Sequence, residues 1–279
     1  MSGLTSFPRD GLVFAVTDSG PADGDPVLLL HGFPERATSW EAVSERLNAG
    51  GLRTLAPDQR GYSPGARPRF RWSYRLPTLV ADVVELCQRI GRPVHLVGHD
   101  WGAVVAWALA AHHPELVRTL TAVSVPHPGA FLEAVRRGPQ LRDSWYFLPF
   151  NVPFLVEGLA RYRPHVLEDL LRRGGMTDED LARVREEIVS DGALRGGLSW
   201  YRAVMLSSPG YAGRRVAVPT TYVWSTGDVA LSRVGAEACE RYVDAPYELV
   251  VLDDVSHWIP TLAPGPLADA ILARIASVG

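Results

Sequence analysis

Val94-His95-Leu96-Val97, then Gly98-His99-Asp100-Trp101-Gly102, then Ala103-Val104-Val105-Ala106-Trp107-Ala108-Leu109-Ala110-Ala111 form one continuous stretch. A buried-strand pattern runs through a glycine-bracketed turn into an Ala-rich helix, predicted over Gly102–His113. This is the setting in which a G-x-nucleophile-x-G elbow presents its central side chain on a sharp strand-to-helix turn. The central residue is Asp100. A serine that attacked a saturated carbon would be left as an ether, which water and a base do not readily cleave, whereas a carboxylate is left as an ester, which they do. Asp100 therefore suits displacement at sp³ carbon, such as epoxide opening or carbon–halogen cleavage. Asp is also a favoured helix N-cap, but the preceding strand, the two glycines and the partner residues below favour the nucleophile. The helix N-terminus favours its anion.

Working outward, short β-branched runs alternate with helical periodicity. Val27–His31, Arg53–Ala56, Val94–Val97, Leu120–Val125, Thr220–Trp224 and Glu248–Leu252 read as buried strands. Trp40–Asn48, Leu76–Ile90, Val234–Tyr242 and Pro266–Ala276 carry apolar residues at three- and four-residue spacing, as helices do. The alternation predicts an α/β fold with a mostly parallel, doubly wound sheet covered on both faces. It lapses over residues 126–215, where aromatic clusters, a charged helical segment at Thr177–Val189 and Gly/Pro breaks replace strands. Residues 1–125 and 216–279 are thus expected to form the core, and 126–215 a helical cap over the crevice beyond the strand ends.

The 279 residues are 47 % hydrophobic and 21 % charged, a globular composition with a net charge of −3. All 28 basic residues are arginines and they are scattered, so no nucleic-acid partner is expected. Cys87 and Cys239 form no CxxC pair and suggest neither a disulfide framework nor a thiolate metal site. The apolar run Gly102–Ala111 is about half the length of a span, and the first ten residues lack a signal-peptide core. A soluble, cytoplasmic protein with no membrane partner is expected; its oligomeric state is unreadable. No GxGxxG follows a strand, and no Walker motif or HExxH occurs, so no cofactor and no metal are expected.

A nucleophilic Asp needs a base and a charge-stabilising site. Ser256-His257-Trp258 follows the last strand, where the chain returns to the crevice, and His257 is the expected base. Asp228 in Thr226-Gly227-Asp228 is the expected orienting acid, preferred over the turn residues Asp253 and Asp254. The loop His31-Gly32-Phe33-Pro34 can aim the Phe33 N–H, with that of Trp101, at one oxyanion. His99 is expected to point away from the substrate.

Together these residues resemble the α/β-hydrolase superfamily, in particular its soluble epoxide hydrolase branch, over essentially the whole chain: HGFP at 31–34, DQRGYS at 58–63, GHDWG at 98–102, GD at 227–228 and SHW at 256–258. The resemblance implies two cap tyrosines that polarise an epoxide oxygen. Tyr146 lies in YFLPFNVP, with Asn151 where the family pattern has Gln; Tyr201 lies in SWYR, with Ser199 where it has Asn. It also implies an epoxide and water as co-substrates; the aromatic roof of the insertion (Phe131, Trp145, Phe147, Phe150, Trp200) suggests that the epoxide is a small hydrophobic one, in a pocket expected to be walled by Phe33, Trp101, Trp145, Phe150 and Trp200. Haloalkane dehalogenases share the elbow and HGxP, but Phe33 stands where they often place a halide-binding Asn. Fluoroacetate dehalogenases resemble the chain around Trp145-Tyr146-Phe147, yet carry Arg after the nucleophile where this chain has Trp101. A non-catalytic binder on the same fold is the alternative of another class.

Overall fold

The computed structural model describes residues 3–138 and 140–279. Eight strands form one sheet: β1 (Ser6–Arg9), β2 (Leu12–Ser19), β3 (Pro26–Leu30), β4 (Arg53–Pro57), β5 (Val94–His99), β6 (Val117–Val123), β7 (Thr220–Ser225) and β8 (Tyr247–Leu252), in the order β1-β2-β4-β3-β5-β6-β7-β8. From β4 to β8 every neighbouring pair is parallel; β1 and β2 pair antiparallel with each other, and β2 with β4. This N-terminal hairpin is absent from the sequence-based strands. It carries a half-buried alternation, with Phe14 and Val16 inward and their neighbours outward, where the expected strands were continuous apolar runs.

The continuous runs arise because both faces of the central strands are covered. Along β3, Val27 and Leu29 enter one apolar cluster, Leu28 and Leu30 the other. Helices α1 (Glu41–Ala49) and the C-terminal Pro264–Ala276 pack together on the first face. Helices α2 (Leu76–Ile90) and α3 (Trp101–His112) pack on the second. Helix α3 is buried almost all round, which explains why it is apolar on every side.

Between β6 and β7 no strand of the sheet forms among the described residues. Instead the chain builds α4 (Pro128–Arg137), α5 (Gln140–Asp143), α6 (Phe147–Asn151), α7 (Leu155–Tyr162), α8 (Pro164–Arg173), α9 (Asp178–Arg183), α10 (Leu194–Ala203) and α11 (Pro209–Ala212). The charged segment expected to be helical starts at a capping box made by Thr177 and Asp180 and continues beyond α9 as wider π-type turns over Val184–Ser190. Among the described residues no helix is long and apolar enough to cross a membrane.

Candidate active site

Asp100 stands between β5 and α3 with φ +50° and ψ −121°, a positive φ that a side chain adopts only where its surroundings enforce it. Two glycines make the turn possible by close approach. A Cβ on Gly102 would lie 2.1 Å from the Leu30 carbonyl oxygen, and one on Gly32 would lie 2.3 Å from the Asp100 Cβ. The turn thereby swings the carboxylate out of the strand and against the Gly32–Phe33 loop. There the Phe33 N–H donates to Asp100 Oδ1 at 2.8 Å, leaving Oδ2 without an amide donor. The Trp101 N–H makes no hydrogen bond to this carboxylate. The Phe33–Pro34 peptide is cis.

His257 lies between two carboxylates. Its Nδ1 is 2.8 Å from Asp228 Oδ2, and its Nε2 is 3.5 Å from Asp100 Oδ2. A carboxylate only accepts, so the Nδ1 hydrogen points to Asp228. Asp228 Oδ1 in turn accepts from the Ala230 and Leu231 amides, which fixes the carboxyl in a turn after β7. Asp253 and Asp254 lie exposed. Burial opposes the charged form of His257, but the two carboxylates outweigh it and push its pKa up to about 10. Burial likewise raises the Asp100 carboxyl, yet His257, the charge of His99 and the Phe33 amide bring it below the usual carboxylate value. The resting site is an ion pair: Asp100 carboxylate facing a protonated His257.

His99 is fully buried beneath the elbow, as its outward orientation on the turn implied. Its Nδ1 is 3.0 Å from Glu35 Oε2, and its Nε2 is 2.9 Å from the His257 carbonyl oxygen, which also accepts from the Ser124 hydroxyl. Glu35 escaped sequence reasoning. The available signal was its position directly after HGFP, one residue beyond the motif.

A cavity of about 640 Å³ opens over the carboxylate. Asp100, His257, Phe33, Tyr146 and Tyr201 all line it, with Trp145 and Phe150 in its wall and apolar residues of α7 and α8 beyond. Tyr146 and Tyr201 come from opposite sides of the insertion, just before α6 and within α10, yet their ring centroids lie 6.4 Å apart. Burial, then the nearby Asp100 charge, raises both phenol pKa values, so both remain protonated donors. Two expected walls are corrected. The Trp200 side chain is buried behind the cavity, where its indole donates to the Arg60 carbonyl and packs on Tyr62. Trp101 does not line the cavity either; its indole stands edgewise to the Tyr201 ring, 5.0 Å between centroids, within hydrogen-bonding reach of the Tyr201 hydroxyl. On α10 the residues three and four apart share a face, so residue 200 turns away when residue 201 faces the site.

A family model described as the alpha/beta hydrolase fold matches residues 25–264. The chain is 34 % identical to the AB hydrolase superfamily protein YfhM of Bacillus subtilis (strain 168), covering 94 % of each, and 32 % identical to Epoxide hydrolase 4 of Homo sapiens, covering 89 % of this chain and 72 % of that one. The crystal structure of epoxide hydrolase VrEH1 from Vigna radiata superposes with a TM-score of 0.83 at 28 % identity, covering 98 % of this chain and 97 % of that one.

Proposed function

We propose, for a chain that belongs to the alpha/beta hydrolase superfamily and within it to the epoxide hydrolase branch, the conversion of an epoxide to a vicinal diol through an aspartyl ester. Asp100 Oδ2, the oxygen without an amide donor, attacks one epoxide carbon and breaks its C–O bond. Tyr146 and Tyr201 hold the ring oxygen and one of them protonates the alkoxide, a strong enough base to take a phenol's proton. Once Asp100 is an ester, His257 gives its proton back to the phenolate, and the now neutral ring deprotonates water, which adds to the ester carbonyl at Cγ. The Phe33 and Trp101 amides receive the oxyanion, and collapse breaks the ester C–O bond, the leaving alkoxide taking the remaining hydroxyl proton to give the diol and regenerate the Asp100 carboxylate beside a protonated His257. Asp228 holds the His257 ring throughout, and residues 126–215 act as the cap. The supporting observation is that a carboxylate nucleophile and two protonated phenols line one cavity.

Dehalogenation by the same Asp is the weaker reading. A departing halide needs N–H donors in the cavity, and the Trp101 indole is packed against Tyr201 instead. A single turnover in ¹⁸O-water tests the reaction: label should appear in the Asp100 carboxylate and unlabelled oxygen in the diol. Label confined to the diol would mean direct attack by water and would overturn the covalent route.

A further inference from the structure

Ser144–Val156 contains no charged residue in thirteen positions, in a segment that forms part of the cavity roof. Its inward side is accounted for: Tyr146 and Phe150 face the cavity, and Val156 is buried. The outward side is apolar as well. Leu141, Trp145, Leu148, Val152 and Leu155 recur at spacings of four, three, four and three residues, and all are exposed, Leu141 by 71 % and Leu148 by 77 %. Turn hydrogen bonds from Ser144 to Gln140, Leu148 to Trp145 and Val152 to Pro149 link α5 and α6, so this spacing groups Leu141, Trp145, Leu148 and Val152; the chain then breaks at extended Val152 and left-handed Phe154 before Leu155 opens α7. Phe154, at φ +63° in that break, holds its ring 71 % exposed. A patch of this kind marks a contact surface.

Charge decides among occupants. Residues 136–173 hold seven arginines against four acidic residues, in a chain with net charge −3; Arg137, Arg142 and Arg172 are engaged in ion pairs with Glu133, Asp143 and Asp169. Arg161 and Arg163 at the end of α7 are exposed and form no ion pair among the described residues. A second copy docking by the same face would set this basic rim against itself. An anionic lipid surface meets both requirements, accepting the apolar tips below the headgroups and the guanidinium groups among them. Trp145 belongs both to the exposed stripe and to the cavity wall, so the docked face would put the cavity's edge at the lipid, where apolar substrates concentrate.

We propose that the outer face of α5–α7, centred on Leu148 and Phe154, docks on anionic lipid surfaces. The expectation of no membrane partner rested on the length of apolar runs, which excludes spanning but not lying on a surface. Docking is measured without turnover, so it stands or falls separately from the epoxide chemistry. The probe is flotation with vesicles of phosphatidylcholine containing about a third phosphatidylglycerol, against pure phosphatidylcholine. The protein should float with the anionic vesicles, bind neutral ones at least about tenfold more weakly, and detach in high salt. L148S/F154S, with both changes outside the cavity lining, should lose binding while circular dichroism and turnover of a water-soluble epoxide stay unchanged. An R161A/R163A variant should weaken binding without removing the apolar tips. No flotation with anionic vesicles overturns the proposal. So does a concentration-dependent dimer in analytical ultracentrifugation that L148S/F154S abolishes, which would make the stripe a self-association face.

Discussion

His257 Nε2 stands 3.5 Å from Asp100 Oδ2, and this relationship sets the order in which the site can act. While Asp100 is an anion it helps to hold the proton on His257, whose pKa of about 10 makes it a poor base at neutral pH. Alkylation turns Asp100 into a neutral ester and removes that support, so His257 becomes a base only once there is an ester to hydrolyse. Asp100→Asn imitates the uncharged state and should lower the His257 pKa, read from ¹⁵N-histidine spectra across pH; an unchanged titration would show that the two groups do not sense each other. In the wild type, alkylation should persist into acid because the Asp100 carboxyl is lowered, while ester hydrolysis should rise with pH. The sign for stability is the reverse of the usual carboxylate case. A histidine raised above its unfolded value of 6.5 stabilises the fold below that pH, and the contribution is lost as pH climbs through about 10.

The glycines give a paired test. Gly32→Ala places a methyl 2.3 Å from the Asp100 Cβ and 2.5 Å from its Oδ1, so the nucleophile must shift, and turnover should fall at least about a hundredfold, as a displacement of about 1 Å can cost. Gly158→Ala, inside α7 with nothing within 4 Å of the new Cβ, should stabilise the protein by about 0.5–1 kcal/mol and leave turnover alone. Calorimetry and steady-state kinetics on both variants separate a local clash from a general intolerance of larger side chains.

The elbow, the parallel strands and the insertion were legible because each rests on local chemistry: continuous apolar runs, bracketing glycines, a break in alternation. What was not legible depended on which way a side chain turned in the folded chain. Trp200 and Tyr201 are adjacent and equally aromatic, and only the rotation of α10 against α6 decides that Tyr201 enters the cavity while Trp200 bonds the Arg60 carbonyl. The hairpin β1–β2 escaped because only alternate residues of β2, Phe14 and Val16, turn inward while Val13, Ala15 and Thr17 stay exposed, and because its partner strand β4 lies far along the chain. Glu35 was passed over because its partner His99 is 64 residues away and its burial is a property of the packed loop.

That pair makes its own prediction. Glu35→Ala leaves a buried His99 nitrogen without an acceptor, which should cost about 1–3 kcal/mol and lower Tm by several degrees. Glu35→Gln keeps an acceptor oxygen and should restore most of the lost Tm. Because His99 also holds the His257 carbonyl, Glu35→Ala should slow ester hydrolysis more than alkylation in stopped-flow traces. Equal slowing of both steps would reduce the pair to a general packing role.

The cap tyrosines discriminate between epoxide opening and dehalogenation. Both phenols line the cavity above Asp100 and both stay protonated, so both can donate where negative charge appears on the leaving oxygen. By analogy with other oxyanion donors, removing either hydroxyl should cost about 2–4 kcal/mol in the alkylation step. Tyr201→Phe should therefore slow formation of the Asp100 ester by roughly 30-fold or more, and Tyr146→Phe should do the same from the other side. The double variant should lose more than either single one, because the remaining donor then also disappears. A halide leaves without a proton, so a dehalogenase would tolerate both changes. Trp101→Phe should be milder for epoxides, since it removes a neighbour of Tyr201 and leaves both phenol hydroxyls in place. Rapid-quench measurement of the ester, with diol and halide followed in parallel, reads all four variants. Unchanged epoxide turnover in Tyr201→Phe, together with loss of halide release in Trp101→Phe, would transfer the site to dehalogenation.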